Sequence, residues 1–404
     1  ELGKEMMGHF SFSTMGVDIA DVNNDAFPDI FTTDMLPEDN RRQKLLSWPD
    51  NWNVQQAMFE NGFHWQNMRN MLHINSPLTL NGGTVIPPLG RYAARVRGLE
   101  IGQLGGIQAT DWSWAGLLAD FDNDGLKDLF VSNGFVRDYT DLDFVKYYAD
   151  EQMKGEGQKS TKSLLEHLKK MPATPTHHYI FKNTTKLSSP KSRGGGDGPP
   201  HGEVQFSNKV KEWGFEHNTI ACGAAYADFD KDGDLDLITS NTNEPANLYQ
   251  NHQQEHNPQN FVKIKLKGQG GNTFGVGAKV YLYTNGQVQY QEFTPTRGFQ
   301  SCMYDDLHFG LGRLSKIDSI RVLWPSNKSQ LLTKVALNKI HITEEKNATP
   351  FNPALLLPQI NPIFEETKTL DFVHQENPLI DFNTQILLPY LYSYGGPRMA
   401  KGDV

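Results

Sequence analysis

Apolar residues along this chain recur at every second position or in short runs, the pattern of buried and half-buried β-strands. GVDIA (16–20), AGLLA (115–119) and GAAYA (223–227) are small and apolar, which suits closely packed strands. Each is followed, across an acidic stretch, by a β-branched or aromatic run: IFTTD (30–34), LFVSN (129–133) and LITSN (237–241). A third kind of strand ends in Asn, at NMLHIN (70–75), HYIFKN (178–183) and ANLYQN (246–251). Two segments break the alternation with apolar residues at three- and four-residue steps, 40–63 and 141–172. They predict helices, the second with lysines clustered near its end and Pro172 as a stop. The Gly- and Pro-rich tract 188–202 predicts a loop.

The spacing of these elements repeats. From Asn75 to Asp120 is 45 residues, and from Asn183 to Asp228 is 45 again, with Gly106 and Gly214 at matching places. The other part of each repeat varies, at 54, 63 and 23 residues, so the first two copies carry the helical segments as insertions of about 30 and 40 residues. Repeated strand units that cannot bury their faces alone predict the blades of a β-propeller.

Beyond residue 255 the alternation belongs to a different domain. NFVKIKLKG, AKVYLYTNGQVQYQEF, SIRVLWP and NKIHIT read as strands, the second a hairpin turning on Asn285–Gly286. The expected architecture is all-β: propeller blades over 1–255, a small β-sandwich-like domain over 256–347, and a linker with the start of a second propeller over 348–404.

The acidic stretches bring in chemistry. Residues 227–241 read ADFDKDGDLDLITSN, with five aspartates in nine positions, an arrangement that mutual repulsion disfavours unless something offsets it. Counted from the first aspartate, positions 1, 3, 5 and 9 are Asp21, Asn23, Asp25 and Asp29; Asp120, Asp122, Asp124 and Asp128; and Asp228, Asp230, Asp232 and Asp236. Position 7, at Phe27, Leu126 and Asp234, would add a backbone carbonyl. Position 6 is Gly125 and Gly233, with Ala26 in the first copy, where the required turn is harder to form. Oxygen donors at 1, 3 and 5 before a turn residue suit Ca²⁺, which takes roughly six to eight oxygens, better than Mg²⁺ with its strict octahedron. About three calcium sites are expected, in loops between strands and not in EF-hands, since position 12 is Thr32, Val131 and Thr239 and helices do not flank them.

The chain has 404 residues and a formal charge of −9, which argues against a nucleic-acid surface; three divalent ions would leave −3. No apolar run approaches the ~18 residues of a membrane helix. The chain opens at Glu1 without a charged-then-apolar leader, so a targeting signal is expected to be absent or to lie upstream. Cys222 and Cys302 fall in different predicted domains and are expected to pack as small apolar residues, unpaired.

The motifs ADFDNDGLKDLFVSNG and ADFDKDGDLDLITSN resemble FG-GAP or VCBS repeats of integrin-α-like propellers. That resemblance implies seven blades, with Ca²⁺ in hairpin loops at the blade edges and the missing blades upstream of Glu1. The stretches GVGAKV, RGFQS, HFGLG and VLWP are similar to those of the ASPIC/UnbV domain, which often follows such repeats. The tail 349–404 resembles the entry into a second propeller, with Asp403 as the start of a further loop.

Catalytic signatures such as H-E-x-x-H, G-x-S-x-G or a P-loop do not occur. His177–His178 has no third ligand at a definable spacing, Asp305–Asp306 reads as a solvated turn, and the G-x-G at 275–277 reads as a tight turn. Trp112 and Trp114 alternate on a strand, so one is expected between blades while the other could form a sugar or peptide platform. The function expected is a non-catalytic, calcium-binding scaffold in an extracytoplasmic space or at the cell surface. Its partner would be a protein or glycan, within an outer-membrane complex if it is an accessory subunit. The alternative is a surface glycan lyase or hydrolase acting on the propeller face or in missing blades.

Overall fold

The computed structural model describes residues 7–46, 52–75, 98–153, 161–186, 204–304 and 306–351, with single positions at 375, 379, 381 and 384. The chain divides into two compact units, Glu1–Pro49 with His64–Gln359, and Asp50–Phe63 with Ile360–Val404. In the second unit the main described element is the helix Trp52–Glu60, closed by the Asn61 and Gly62 N–H groups on carbonyls of its last turn. The tract 188–202, and all but scattered positions of the tail, lie outside the described residues.

In the first unit, blade 1 is β1 (Val17–Ala20), β2 (Asp29–Thr32), β3 (Met71–Asn75) and β4 (Gly98–Glu100), paired in that order. Blade 2 is β5 (Asp111–Ala119), β6 (Asp128–Asn133), β7 (Tyr179–Asn183) and β8 (Phe206–Asn208). Met35–Leu36, from the first repeat, adds to its β5 edge. Blade 3 is the three-stranded β9 (Ala221–Ala227), β10 (Asp236–Asn241) and β11 (Asn247–Tyr249). The ladders between consecutive strands are antiparallel, and the acidic loops join the first strand of each blade to the second. The inserted segments form helices at Asn40–Leu46, Leu142–Met153 and Thr161–Lys170.

The next domain packs two sheets around one core. Its strands are β12 (Asn260–Lys267), β13 (Lys279–Thr284), β14 (Gln287–Glu292), β15 (Thr296–Arg297), β16 (Ser301–Cys302), β17 (Leu307–Gly312), β18 (Ser319–Trp324), β19 (Lys328–Leu332), β20 (Ile340–Glu344) and β21 (Thr349–Pro350). One sheet runs β17-β12-β20 and the other β14-β13-β18-β19-β21. Val262, Ile264, Val280, Leu282, Phe309, Ile320 and Val322 fill the space between them. Asn285 and Gly286 both take positive φ, which the tight β13–β14 hairpin requires.

Together the sheets make a propeller-like ring with five sheets of three or more strands among the described residues, where seven blades were expected. Three come from the repeats and two from the sandwich domain. The number seven came from the resemblance alone; the hydrophobic periodicity supports only the repeats that are present.

The sandwich domain is tied into the blades by the β15–β16 hairpin, the RGFQS stretch. Gly298 exchanges backbone hydrogen bonds with Val17 of β1, at 2.9 and 3.2 Å. The Ala224 N–H of β9 donates to Ser301 Oγ at 3.2 Å, and Phe299 packs on Trp114 of β5 with ring centroids 4.9 Å apart. The hairpin thus touches the first strand of every blade. Gly298 takes φ of +66°, and a Cβ there would sit 3.0 Å from Leu117, so a bulkier residue would push the hairpin off β5. Trp112 stacks on Phe135 at 4.6 Å and Trp114 is held between Phe135 and Phe299, so both rings are packed. Cys222 and Cys302 are unpaired. Cys302 does not pack as a small apolar residue: it lies exposed on the hairpin.

Candidate functional site: three acidic loops

Each loop is shaped by its own carboxylates. In loops 1 and 2 the position-1 aspartate accepts backbone N–H groups from positions 5 and 6: Asp25 and Ala26 on Asp21, Asp124 and Gly125 on Asp120, at 3.1 and 2.8 Å in each pair. Position 5 accepts from position 7, through Phe27 on Asp25, Leu126 on Asp124 and Asp234 on Asp232. Position 6 takes positive φ in every copy, Ala26 included at +70°, so the first loop keeps the shape despite its alanine.

Position 9 has a job that spacing alone does not reveal. One oxygen of Asp29, Asp128 and Asp236 accepts the N–H of position 2, at 2.9–3.0 Å. The other accepts the N–H of the strand-ending Asn75, Asn183 or Asn251, at 2.8–2.9 Å. The asparagine amide then reaches across a blade junction: Asn183 Nδ2 donates to Val22 O and Asn251 Nδ2 to Phe121 O. Position 4 adds a second tie, Asn24 to the Gly125 carbonyl and Asn123 to the Gly233 carbonyl. These asparagines were visible as a strand-end marker, but their partners were not.

Ligand-type oxygens of Asp120, Asp122 and Asp124 lie within 4.8 Å of one another, as do those of Asp228, Asp230 and Asp236. Loop 1, with Asn23 at position 3, assembles no such group of three carboxylates among the described residues. Asp232 stays at the loop surface, and Asp234, which accepts the Gln254 N–H at 3.0 Å, is not one of the three carboxylates that converge with Asp228.

The donor set fits a hard cation. All candidate side chains offer oxygen, and Asn23 Oδ1, Asp122 Oδ1, Asp228 Oδ1 and Asp234 Oδ1 are buried without a hydrogen-bond donor. Burial pushes Asp120 up to about 8, Asp234 to about 7 and Asp25 to about 6. Burial, reinforced by neighbouring carboxylates, raises Asp21, Asp29, Asp122, Asp128 and Asp236 as well. Negative charge here lacks its full complement of positive charge. Part is supplied by lysines: Lys182 bridges Asp122 and Asp124, the latter at 2.8 Å, and Lys263 of the sandwich domain meets Asp228 at 2.6 Å.

The sandwich domain lies directly on these loops. His308 Nε2 is 2.5 Å from Asn123 Oδ1, and the Gly312 N–H donates to Asn123 O at 2.7 Å. A Cβ on Gly310 would come 2.0 Å from Asp120 Oδ2, so this strand of the HFGLG stretch can approach only as glycine.

Other candidates do not converge. His178 Nδ1 accepts the Asn133 N–H at 3.1 Å, burial lowers its pKa to about 4, and the His177 ring packs tilted against Tyr179; neither joins a group of three ligands among the described residues. Asp305 lies outside the described residues, and Asp306 is 3.6 Å from Lys265. Gly275 and Gly277 form a tight turn closed by the Ala278 N–H on Gly275 O. Sequence reasoning missed the buried network in which Arg42 meets Asp111 at 2.5 Å and Asp138 at 2.9 Å, tying the first insertion to blade 2.

The fold is therefore a propeller-like array of blades with acidic edge loops, capped by a β-sandwich. Residues 268–350 match the family model described as ASPIC and UnbV. The chain is also similar to Cartilage acidic protein 1 of Mus musculus, 29% identical over 178 residues, which is 42% of this chain and 25% of that protein. For Cartilage acidic protein 1 of Homo sapiens the figures are 32% over 110 residues, 26% of this chain and 16% of that protein. The chain spans a quarter or less of the length of these curated relatives.

Proposed function

We propose that this chain is a calcium-stabilised, non-catalytic binding scaffold of the FG-GAP/VCBS type, working outside the cytoplasm on a protein or glycan partner. The observation that carries this reading is the set of buried, donor-less oxygens inside loops whose carboxylates crowd together. Ca²⁺ would be held by Asp120, Asp122 and Asp124 in loop 2 and by Asp228, Asp230 and Asp236 in loop 3, with Asp21, Asn23 and Asp25 as the weaker first site. Bound there, the ion would supply positive charge and join the two strands that flank each loop. Extracellular modules bind Ca²⁺ with Kd of about 10⁻⁴–10⁻³ M, so such loops fill outside the cytoplasm. The similarity to proteins named for cartilage supports the same placement. No described helix is long and apolar enough to cross a membrane.

The test is thermal unfolding in EGTA and in millimolar Ca²⁺ at about pH 6 and pH 8. Without the ion, Asp25, Asp234 and Asp120 hold protons in the folded protein that the unfolded chain, near 3.8, releases. That stability is fully present below 3.8 and is lost as pH rises through about 6 to 8. Calcium should therefore raise the midpoint more at the higher pH. At a tenfold excess over Kd each filled site contributes about 1.4 kcal/mol. Equal midpoints with and without the ion would remove the reading.

Lys182 makes a second measurement possible. Its ammonium occupies the space between Asp122 and Asp124 that an ion would take. Lys182→Met should tighten calcium binding at loop 2 by about tenfold, or ~1.4 kcal/mol, measured by calorimetric titration.

A further inference from the structure

The sandwich domain meets all three acidic loops, but not by the same chemistry. On loop 1, Ala26 packs with Tyr281, Tyr290 and Leu323. On loop 2 the contacts are hydrogen bonds to Asn123, from His308 at its side chain and from the Gly312 N–H at its carbonyl. On loop 3, strand β12 brings a charge. Lys263 Nζ lies 2.6 Å from Asp228 Oδ2, and both side chains are only 5% exposed. Beside it the Phe261 ring rests over Gly233, where a Cβ would strike it.

Position 1 is also used differently in this loop. Asp21 and Asp120 accept N–H groups from positions 5 and 6 of their own loops. In loop 3 the position-5 N–H, of Asp232, goes to Asp230 Oδ1 at 3.3 Å, and Asp228 gives one oxygen to Lys263. Its other oxygen, Oδ1, is buried without a donor, and Asp228 converges with Asp230 and Asp236. One buried carboxylate thus faces an ammonium from the sandwich domain on one side and the candidate ion site on the other.

We propose that Lys263 couples the two: it weakens calcium binding at loop 3, and filling of loop 3 in turn loosens the hold of the sandwich domain on blade 3. This rests on the calcium reading of the loops and adds to it a regulation of the third. Two cations that draw on one carboxylate in a site of low exposure repel each other and divide its charge. A buried ammonium whose partner is drawn away becomes costly to keep buried. The coupling is reciprocal, so the factor by which Lys263 weakens the site equals the factor by which occupancy weakens the contact. Lys182 does not have this consequence. It belongs to the same blade as the carboxylates it bridges, whereas Lys263 belongs to a different domain, so its release changes how that domain is seated.

The test has two readouts on the full chain over a calcium series. The first is acetylation of Lys263 by an amine-reactive reagent, followed by mass spectrometry, with the 53%-exposed Lys265 as the internal reference. Calcium should raise Lys263 labelling relative to Lys265 by about tenfold, within the usual range for coupled sites. The second is hydrogen exchange, read separately at residues 120–128 and 228–236. Lys263→Met should lower the calcium midpoint of loop 3 by the same factor and leave that of loop 2 in place. If calcium protects the loops of the unaltered chain while Lys263 labelling stays constant or falls, the ion pair is permanent; the proposal then fails and the calcium reading stands. That outcome needs no variant, so it decides even where Lys263→Met does not fold. A loop 3 midpoint that Lys263→Met leaves unchanged or raises also overturns the coupling, since the lysine would then be a bystander or would aim Asp228 at the ion. Loops that calcium never protects, in either protein, would remove the calcium reading and the coupling with it.

Discussion

Replacing Arg297 with methionine is expected to lower the unfolding free energy by about 3–5 kcal/mol, the usual cost of removing one partner from a buried ion pair. Arg297 reaches from the hairpin to Asp18 through two bonds of 2.7 and 2.6 Å, donates to Leu118 O at 2.9 Å, and also bonds Tyr226 OH. One side chain thereby joins the sandwich domain to the first strands of all three blades. Asp18 and Tyr226 hold its pKa above the ordinary arginine value against the cost of burial. Methionine retains much of the stem, so the loss reports charge and hydrogen bonding more than a cavity. Asp18, almost fully buried, would be left with the Ile19 and Leu118 N–H groups alone. Adding Asp18→Leu to Arg297→Met should restore a large share of the stability, because both charges are then absent. The readout is the urea midpoint at constant slope; a shift worth less than about 1 kcal/mol would mean that the hairpin is only laid on the blades.

Local patterns were legible in the sequence. Period-two runs located the strands, Asn285–Gly286 located the hairpin, and the one-three-five-nine spacing located the loops with their positive-φ sixth residue. All of these are set by residues within about ten positions of one another. What escaped was long-range pairing. Arg297 and Asp18 are 279 residues apart, and Arg42 and Asp138 are 96 apart; neither carries a periodic signature. RGFQS and HFGLG were readable as motifs, yet their glycines matter because Gly298 and Gly310 let backbone approach β5 and loop 2, contacts that exist only after folding. Trp114 could be placed on a strand but not assigned its neighbours, which come from the second repeat and the sandwich domain. Position 9 was read as a ligand from its place in the loop, and the structure gives it a second role that no spacing encodes.

That second role separates two substitutions which a purely ion-binding account would treat alike. Asp128→Ala removes the shared acceptor of the Phe121 and Asn183 N–H groups, at 3.0 and 2.9 Å, within a fully buried site. Each orphaned buried donor costs about 1–3 kcal/mol, so the loss is about 2–6 kcal/mol even in EGTA, where no ion contributes. Asn183 then loses the anchor that aims its amide at Val22 O, and the junction between blades 1 and 2 weakens with it. Asp124→Ala sits at the loop rim, giving up the Leu126 N–H bond and the contact with Lys182. In EGTA it should cost about 1 kcal/mol or less, since removing one of three crowded carboxylates offsets the lost bond. In calcium the gap to the unaltered protein widens for Asp124→Ala, which loses the stabilisation that loop 2 draws from the ion, while Asp128→Ala remains the less stable of the two. Urea unfolding of both variants with and without calcium separates the roles. If Asp128→Ala matched the unaltered protein in EGTA, position 9 would be a ligand and nothing more, and the asparagine tie it anchors would add nothing to the junction between blades 1 and 2.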